Sequence, residues 1–192
     1  MARTTQITRE ALVDAGVRLV LEKGLETLNA RSLAAQAGCS IQPVFRNFGS
    51  MENLRAAVFR GLDAAYQSFI GARIDKADYL FTISLAHIAL AQAQKNLFQA
   101  MFLTDEFGAR TVEEIVQSSW NRETIDCTAA QYGLSLHNAE AVYRDVRFYA
   151  FGIALGVYAG TVVLEPEEAG DLLRRAIQRF AGLPEETRGE LT

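Results

Sequence analysis

Residues 29–48, NARSLAAQAGCSIQPVFRNF, contain two short amphipathic segments on either side of a glycine. Leu33 and Ala37 lie four residues apart, as do Val44 and Phe48, so each segment carries one apolar stripe at helical spacing. Gly38 stands where the first segment must stop and reverse, a position that favours a residue tolerating positive φ. The pattern predicts two short helices joined by a tight turn.

The second of these segments carries polar side chains on its outer face. Ser40 can cap a helix that runs from Ile41 to Asn47, and that helix turns Gln42 and Arg46 outward together with Asn47. Such side chains can donate hydrogen bonds to base edges or phosphates. These features together predict a DNA-binding helix-turn-helix. An αα-hairpin that uses the glycine turn for packing alone is the structural alternative.

The flanking residues extend the motif on both sides. Residues 9–24 form one amphipathic pattern, with Thr8 at the expected N-cap and Gly24 at the expected stop. After the second short helix, Ser50 can cap a further helix that has Glu52 in its first turn. The sequence therefore predicts a compact three-helix head that leads into a longer helix.

Residues 8–60 resemble the N-terminal domain of the TetR (tetracycline-repressor) family of transcriptional regulators. The family's first helix follows apolar-apolar-x-Ala-Ala-x-x-Leu-Phe-x-x-x-Gly, and this chain has Leu12-Val13-x-Ala15-Gly16-x-x-Leu19-Val20-x-x-x-Gly24. The second signature is Ile-Ala-x-x-Ala-Gly-Val-Ser, then Leu-Tyr-x-His-Phe-x-Ser-Lys-Glu-x-Leu. The chain has Leu33-Ala34-x-x-Ala37-Gly38-Cys39-Ser40, then Val44-Phe45-x-Asn47-Phe48-x-Ser50-Met51-Glu52-x-Leu54.

The resemblance implies an all-α fold with a helix-turn-helix DNA-binding domain over residues 1–50 and a helical bundle for effector binding and dimerisation over 51–192. Members of the family are regulators, most often repressors, that bind double-stranded DNA as homodimers at near-palindromic operators and are released by a small molecule. The effector expected here is apolar or amphipathic. The residues expected to face DNA are Asn29, Arg31, Ser40, Ile41, Gln42, Pro43, Phe45, Arg46 and Asn47.

Three departures from the family pattern fall on the DNA side. The usual tyrosine is Phe45, the usual histidine is Asn47, and the usual lysine at the start of the fourth helix is Met51. Fewer phosphate contacts predict weaker and less salt-sensitive DNA binding than in a typical relative. They also leave open a second function, that of a dimeric protein that binds a small molecule or partner and has a degenerate DNA head.

Composition supports binding rather than catalysis. Through residue 60 the chain has 8 Lys and Arg against 5 Asp and Glu, whereas the remainder has 11 against 18, so a mildly basic head precedes an acidic body. The sequence has no phosphate-binding glycine loop, no metal-spaced Cys or His set and no nucleophile elbow, so neither an enzyme nor a cofactor is expected. Cys39 and Cys127 cannot make a disulfide framework, and residues 1–10 lack an apolar signal segment, so we expect a cytoplasmic protein. Cys39 fits a small buried hydrophobe better than a redox sensor.

Helical periodicity beyond residue 50 predicts helices over 51–74, 77–94, 96–104, 110–131, 137–164 and 167–181. Residues 148–164 carry no charge, and Gly152, Gly156 and Gly160 recur every four residues within them. A membrane span would be at the lower length limit, and a glycine face could also pack within one subunit. A subunit interface, where small residues let helices approach closely, is the third interpretation, and the TetR resemblance supports it. The residues expected there are Phe148, Gly152, Gly156, Gly160, Leu173, Ile177 and Phe180.

The middle helices are where a TetR relative would hold its effector. Residues 79–92 and 96–104 are rich in Phe, Leu, Met and Ile, although such residues at helical spacing are also ordinary core. His87 on its apolar helix fits a hydrogen-bonded core histidine as well as a ligand contact. Arg147 could meet either an anionic ligand or a neighbouring Asp or Glu. The candidate pocket residues are Phe81, His87, Met101, Phe102, Trp120, Tyr143, Arg147 and Tyr158.

Overall fold

The computed structural model describes residues 7–104, 108 and 110–183. Within these ranges the chain forms ten α-helices and no β-strand, which confirms the all-α prediction. The helices group into two compact units, within the bounds Met1–Phe69 with Gln94–Thr104 and Ile70–Ala93 with Asp105–Thr192. The first unit is therefore larger than the predicted head of residues 1–50.

The first unit contains the three predicted head helices, most of a fourth and one later helix. Their bounds are α1 Arg9–Lys23, α2 Ala30–Gln36, α3 Ile41–Phe48, α4 Met51–Gly71 and α6 Lys95–Phe102, with a short 3-10 turn at Leu25–Thr27. The interior is built from fully buried leucines and one phenylalanine, namely Leu12, Leu19, Leu33, Leu54, Leu62, Leu97 and Phe98. The apolar faces read from the sequence therefore meet in one core.

Helices α1 and α4 cross at very close range. A Cβ placed on Gly16 of α1 would lie 2.6 Å from Val58 Cγ2, and one on Gly61 of α4 would lie 2.5 Å from Val17 Cγ2. Both distances are too short for real carbon atoms, so each helix uses a glycine where the other helix's valine packs against its backbone. The glycine at position 16, where the family usually has alanine, follows from this contact.

Most of the predicted helix ends of the head are confirmed. Thr8 Oγ1 accepts from the Ala11 N–H at 3.1 Å, Gly24 ends α1 with φ +90°, and Gly38 turns the chain with φ +65°. Ser50 Oγ accepts from the Asn53 N–H at 3.2 Å. Ser40 occupies the N-cap position of α3 but makes no capping hydrogen bond, so the predicted side-chain cap is wrong there.

The second unit is a bundle of five helices. They are α5 Tyr79–Ala93, α7 Val112–Val116, α8 Ser119–Tyr132, α9 Leu136–Ala159 and α10 Pro166–Phe180. α5 and α9 pack along each other, and both contact α8 and α10. Among the described helices, none is both long and apolar enough to cross a bilayer.

Two predicted helices differ from the structure. The expected helix over 110–131 is two helices, because a capping box at Thr111 and Glu114 starts α7 and the extended backbone of Ser118 breaks the run before α8. The expected helix over 137–164 ends at Ala159. Gly160 adopts φ +72°, and the N–H groups of Thr161 and Val162 turn back to the Gly156 carbonyl. The apolar sequence continues past Ala159, but the helix does not.

Candidate DNA-binding surface and effector site

Helix α3 presents one contiguous face to solvent. Val44 and Phe48 are 2% and 6% exposed and anchor the helix in the first unit, and the Arg9 guanidinium lies 4.9 Å from the centre of the Phe48 ring. On the opposite side Ile41, Gln42, Phe45 and Arg46 are exposed. An eight-residue helix held by two buried side chains and exposing four others is suited to insertion into a groove.

The start of α3 has unsatisfied backbone donors. Ser40 contributes no capping bond, and Pro43 lies in the first turn, where its missing N–H costs the helix nothing. The N–H groups of the first turn and the Ser40 hydroxyl are therefore available to an anion. Pro43 itself is half-buried.

Two amide side chains expected at the DNA already have partners within the protein. Asn47 is half-buried, and its Nδ2 donates to the Pro43 carbonyl at 2.7 Å. Asn29 caps α2, with Oδ1 accepting from the Arg31 and Ser32 N–H groups, while its Nδ2 donates to the Thr27 carbonyl. These bonds hold both helices of the motif in shape. Arg31, in the first turn of α2, is exposed.

Three of the predicted pocket residues come together in the second unit. Tyr143 and Arg147 lie one turn apart on α9, and Arg147 Nη1 lies 3.1 Å from the Tyr143 hydroxyl oxygen, to which it donates. His87 of α5 is within electrostatic reach of Arg147. Burial and then the Arg147 charge lower the pKa of His87 to about 4, and a hydrogen bond with the Ile83 backbone opposes them. Burial raises the pKa of Tyr143, which Arg147 partly offsets.

Other predicted pocket residues lie elsewhere. Phe81 is buried beneath the Arg174 guanidinium, 3.9 Å from its ring centre, and Arg174 is in turn 3.3 Å from Asp78. Trp120 is 76% exposed in the first turn of α8, and Tyr158 is half-buried near the end of α9. Met101 and Phe102 belong to α6 in the first unit, where the Phe102 ring lies 5.6 Å from that of Tyr66.

The sequence did not single out Ser84, a buried polar residue of α5 that is 4% exposed and lies three residues before His87 on the same side of the helix. The signal that could have found it is a serine within the mostly apolar run of residues 79–92. Within the described parts of the chain, no group of three or more His, Cys, Asp or Glu could hold a metal. Both cysteines are half-buried thiols.

The predicted interface residues divide into surface and core. Phe148, Gly152 and Phe180 are exposed. Leu155, which is not among the predicted interface residues, is exposed too. Leu173 and Ile177 are 0% and 3% exposed and belong to the interior of the second unit, which corrects their assignment to a contact surface. Gly160 caps α9 instead of continuing its face, and a Cβ on Gly156 would lie 2.9 Å from Val162 Cγ2.

Comparison with known proteins supports the fold and the motif. Residues 12–58 match the family model for bacterial regulatory proteins of the tetR family. A transcriptional regulator from Rhodococcus sp. RHA1 aligns at 20% identity and TM-score 0.61, covering 92% of this chain and 97% of that one. A TetR family member from Streptomyces coelicolor A3 aligns at 19% identity and TM-score 0.60, covering 88% and 96%.

A third solved structure, the multidrug binding protein EbrR in complex with imidazole, aligns at 17% identity and TM-score 0.54, covering 93% of this chain and 91% of that one. No curated protein matches the chain in sequence. At these identities the solved structures establish the fold, and the family model accounts for the exposed α3 in its helix-turn-helix setting. Residues 12–58 therefore match the tetR family of bacterial regulatory proteins, and the described chain has the fold of solved TetR-family structures.

Proposed function

We propose that this protein is a sequence-specific transcriptional regulator, a repressor that leaves a near-palindromic operator when a small molecule binds to it. The observation that carries the proposal is the exposed face of α3, where Ile41, Gln42, Phe45 and Arg46 project from a helix anchored by Val44 and Phe48. The helix-turn-helix setting of α3 matches the family model. The proposal gives these residues binding roles and no catalytic one.

In this proposal α3 lies in the major groove. Gln42, in the first turn, reads a base edge through its amide, with Ile41 making apolar contact beside it. Arg46 and Arg31 neutralise phosphates, and the N–H groups in the uncapped first turn of α3 donate to a further phosphate oxygen. Asn47 and Asn29 hold the two helices in shape through one Nδ2–H each, which leaves the second N–H of each amide for DNA.

A two-fold dimer would place two copies of α3 on one face of the duplex. The exposed apolar residues of α9 and α10 offer the contact surface, namely Phe148, Leu155 and Phe180 around Gly152. Apart from its chain neighbours and the backbone of its own helix, no atom of the described residues lies within 4 Å of a Cβ built on Gly152, so a partner helix can approach there. A Gly152→Arg variant should dissociate the dimer, as light scattering would show.

A small molecule that binds one state of the dimer better than the other would control DNA binding. Such a ligand shifts the population by no more than its differential affinity for the two states. The similarity to a multidrug binding protein supports a small-molecule effector. Bacterial regulators act on the chromosome, so the proposed place of action is the cytoplasm.

The test is selection of binding sites from a random duplex DNA pool, followed by affinity measurements at increasing salt. We expect an enriched near-palindrome whose affinity falls as salt rises. The second candidate function, a dimeric ligand- or partner-binding protein with a degenerate DNA head, is favoured by Phe45 and Met51, whose side chains cannot donate hydrogen bonds to phosphates. Absence of any enrichment at low salt would favour that candidate.

A further inference from the structure

Arg147 is a half-buried cation of the second unit that has no acidic partner among the described residues. Each neighbouring ion pair there uses another base: Lys76 pairs with Glu123, Arg122 with Asp126 and Glu140, Arg144 with Asp145, and Arg174 with Asp78. The hydrogen bond that Arg147 makes goes to the neutral Tyr143 hydroxyl. The sequence left two partners open for Arg147, an anionic ligand or a neighbouring Asp or Glu. No Asp or Glu of the described chain pairs with it, which favours the anionic ligand.

A half-buried guanidinium with which none of the described acids pairs is costly. Taking a charge out of water is unfavourable unless an opposite charge and hydrogen bonds compensate it. Tyr143, 4% exposed, supplies one oxygen and no charge. The guanidinium has five N–H donors in a planar fork, which matches the two oxygens of a carboxylate.

The groups around Arg147 add polarity without adding negative charge. His87, whose pKa lies near 4, is neutral at pH 7, and Ser84 lies on the same side of α5. The residues one turn further along both helices are apolar and buried, namely Leu90 and Ala91 of α5 and Ala150 of α9. The result is a single positive charge with neutral hydrogen-bonding groups in apolar surroundings.

We propose that Arg147, with Tyr143 and His87, binds the carboxylate of an amphipathic organic anion, and that this anion is the class of effector to which the protein responds. The role of the anion as an effector rests on the proposed function, whereas the anion site itself rests on the contacts of α5 and α9. The apolar neighbours specify a hydrocarbon or aromatic body attached to the acid. Arg147 is half-buried as a residue, not fully enclosed.

The experiment compares two probes of nearly equal size, 4-butylbenzoate and 4-butylbenzamide, by calorimetry and thermal shift at pH 7 on the full chain. We expect the acid to bind at least about tenfold more tightly than the amide, because only the acid pairs with the guanidinium. Equal binding of the two probes, or no binding of the acid, would overturn the proposal. This comparison uses the unaltered protein and does not depend on any variant folding.

Two arginine variants on the same helix then locate the site. Arg147→Gln should lose the preference for the acid, whereas Arg144→Gln, which removes an exposed arginine paired with Asp145, should keep it. An acid preference that survives in Arg147→Gln would contradict the assignment.

Different experimental results would contradict the proposed anion site and the proposed regulatory function. If the acid binds through Arg147 but does not change affinity for a selected operator, the site is real and the effector role is wrong. If an operator is found and the acid and the amide bind equally, the regulator stands and the anion site is wrong. Binding of the acid through Arg147 without any operator would support the ligand-binding alternative.

Discussion

Asn96 of α6 caps the C-terminus of α1 from 75 residues further along the chain, with Nδ2 donating to the Leu21 carbonyl at 2.9 Å. The carbonyls in the last turn of a helix lack partners within the helix. Gly24 satisfies the Val20 carbonyl through its own N–H, and Asn96 satisfies the next one. This bond ties α6 into the first unit alongside the packing of Phe98 and Phe102.

We therefore expect Asn96→Ala to destabilise the first unit by about 1–2 kcal/mol, because a half-buried carbonyl loses its donor. Urea unfolding followed by circular dichroism measures the change. Lys95→Ala, at the exposed neighbouring position, is the control and should be neutral. Equal effects of the two variants would show that the Asn96 bond contributes nothing.

Gln42 should set sequence preference. Removing its amide with Gln42→Ala should cost about 1–3 kcal/mol at one operator position and relax the base preference there. Repeating the site selection with the variant measures this directly. An unchanged preference would mean that α3 docks in a different register.

Arg46 should contribute equally to the affinity for all DNA sequences. Arg46→Ala removes a phosphate contact, so affinity should fall uniformly and the slope of log K against log salt should become shallower by about 0.9. Arg60→Ala, which removes an exposed arginine from α4, is the matched control. A change of sequence preference in Arg46→Ala would instead assign Arg46 to a base.

Met51 offers a gain of function. Met51 begins α4 and is half-buried, at the position where the family pattern has lysine. Met51→Lys should raise DNA affinity and steepen the salt slope by about 0.9, because one more phosphate is neutralised. Met51→Gln has similar length without the charge and should leave the slope unaltered. If both variants behave alike, no phosphate lies near this position.

The N-terminal motif could be predicted closely because its signals are local. Thr8, Gly24 and Gly38 act through caps and backbone conformation that neighbouring residues determine, and their predicted roles are confirmed. The outward amide of Asn47 can serve a phosphate, its own helix or both. The sequence does not show the bond to its own helix, which the structure gives as 2.7 Å from Asn47 Nδ2 to the Pro43 carbonyl.

The second unit was less predictable because its contacts join distant residues. Leu173 and Ile177 were assigned to a subunit contact, yet they are buried against their own chain, and apolarity alone does not say which surface covers a residue. The helix break at Ser118 and the early end of α9 at Gly160 depend on capping that outweighs hydropathy. Arg122, Arg144 and Arg174 pair with acids whereas no described Asp or Glu pairs with Arg147, and this difference is visible only in three dimensions.

His87 should make stability depend on pH. The unfolded chain takes up the His87 proton near pH 6.5, whereas the folded protein takes it up only near pH 4, because burial and Arg147 disfavour the charged ring. Between these values the unfolded state binds more protons, so its free energy falls relative to the native state as pH decreases. The contribution is fully present above pH 6.5 and is lost progressively, reaching about 3 kcal/mol near pH 4.

Urea unfolding at a series of pH values from 7.5 to 4 would measure this loss. His87→Gln should flatten the plot of the free energy of unfolding against pH between pH 6.5 and 4. His137→Gln, which removes the exposed histidine in the first turn of α9, should leave that part as in the parent protein. Since these are the two histidines of the chain, the pair of variants separates the buried ring from the solvated one. Parallel curves for His87→Gln and the parent protein would show that the folded state does not exclude the proton.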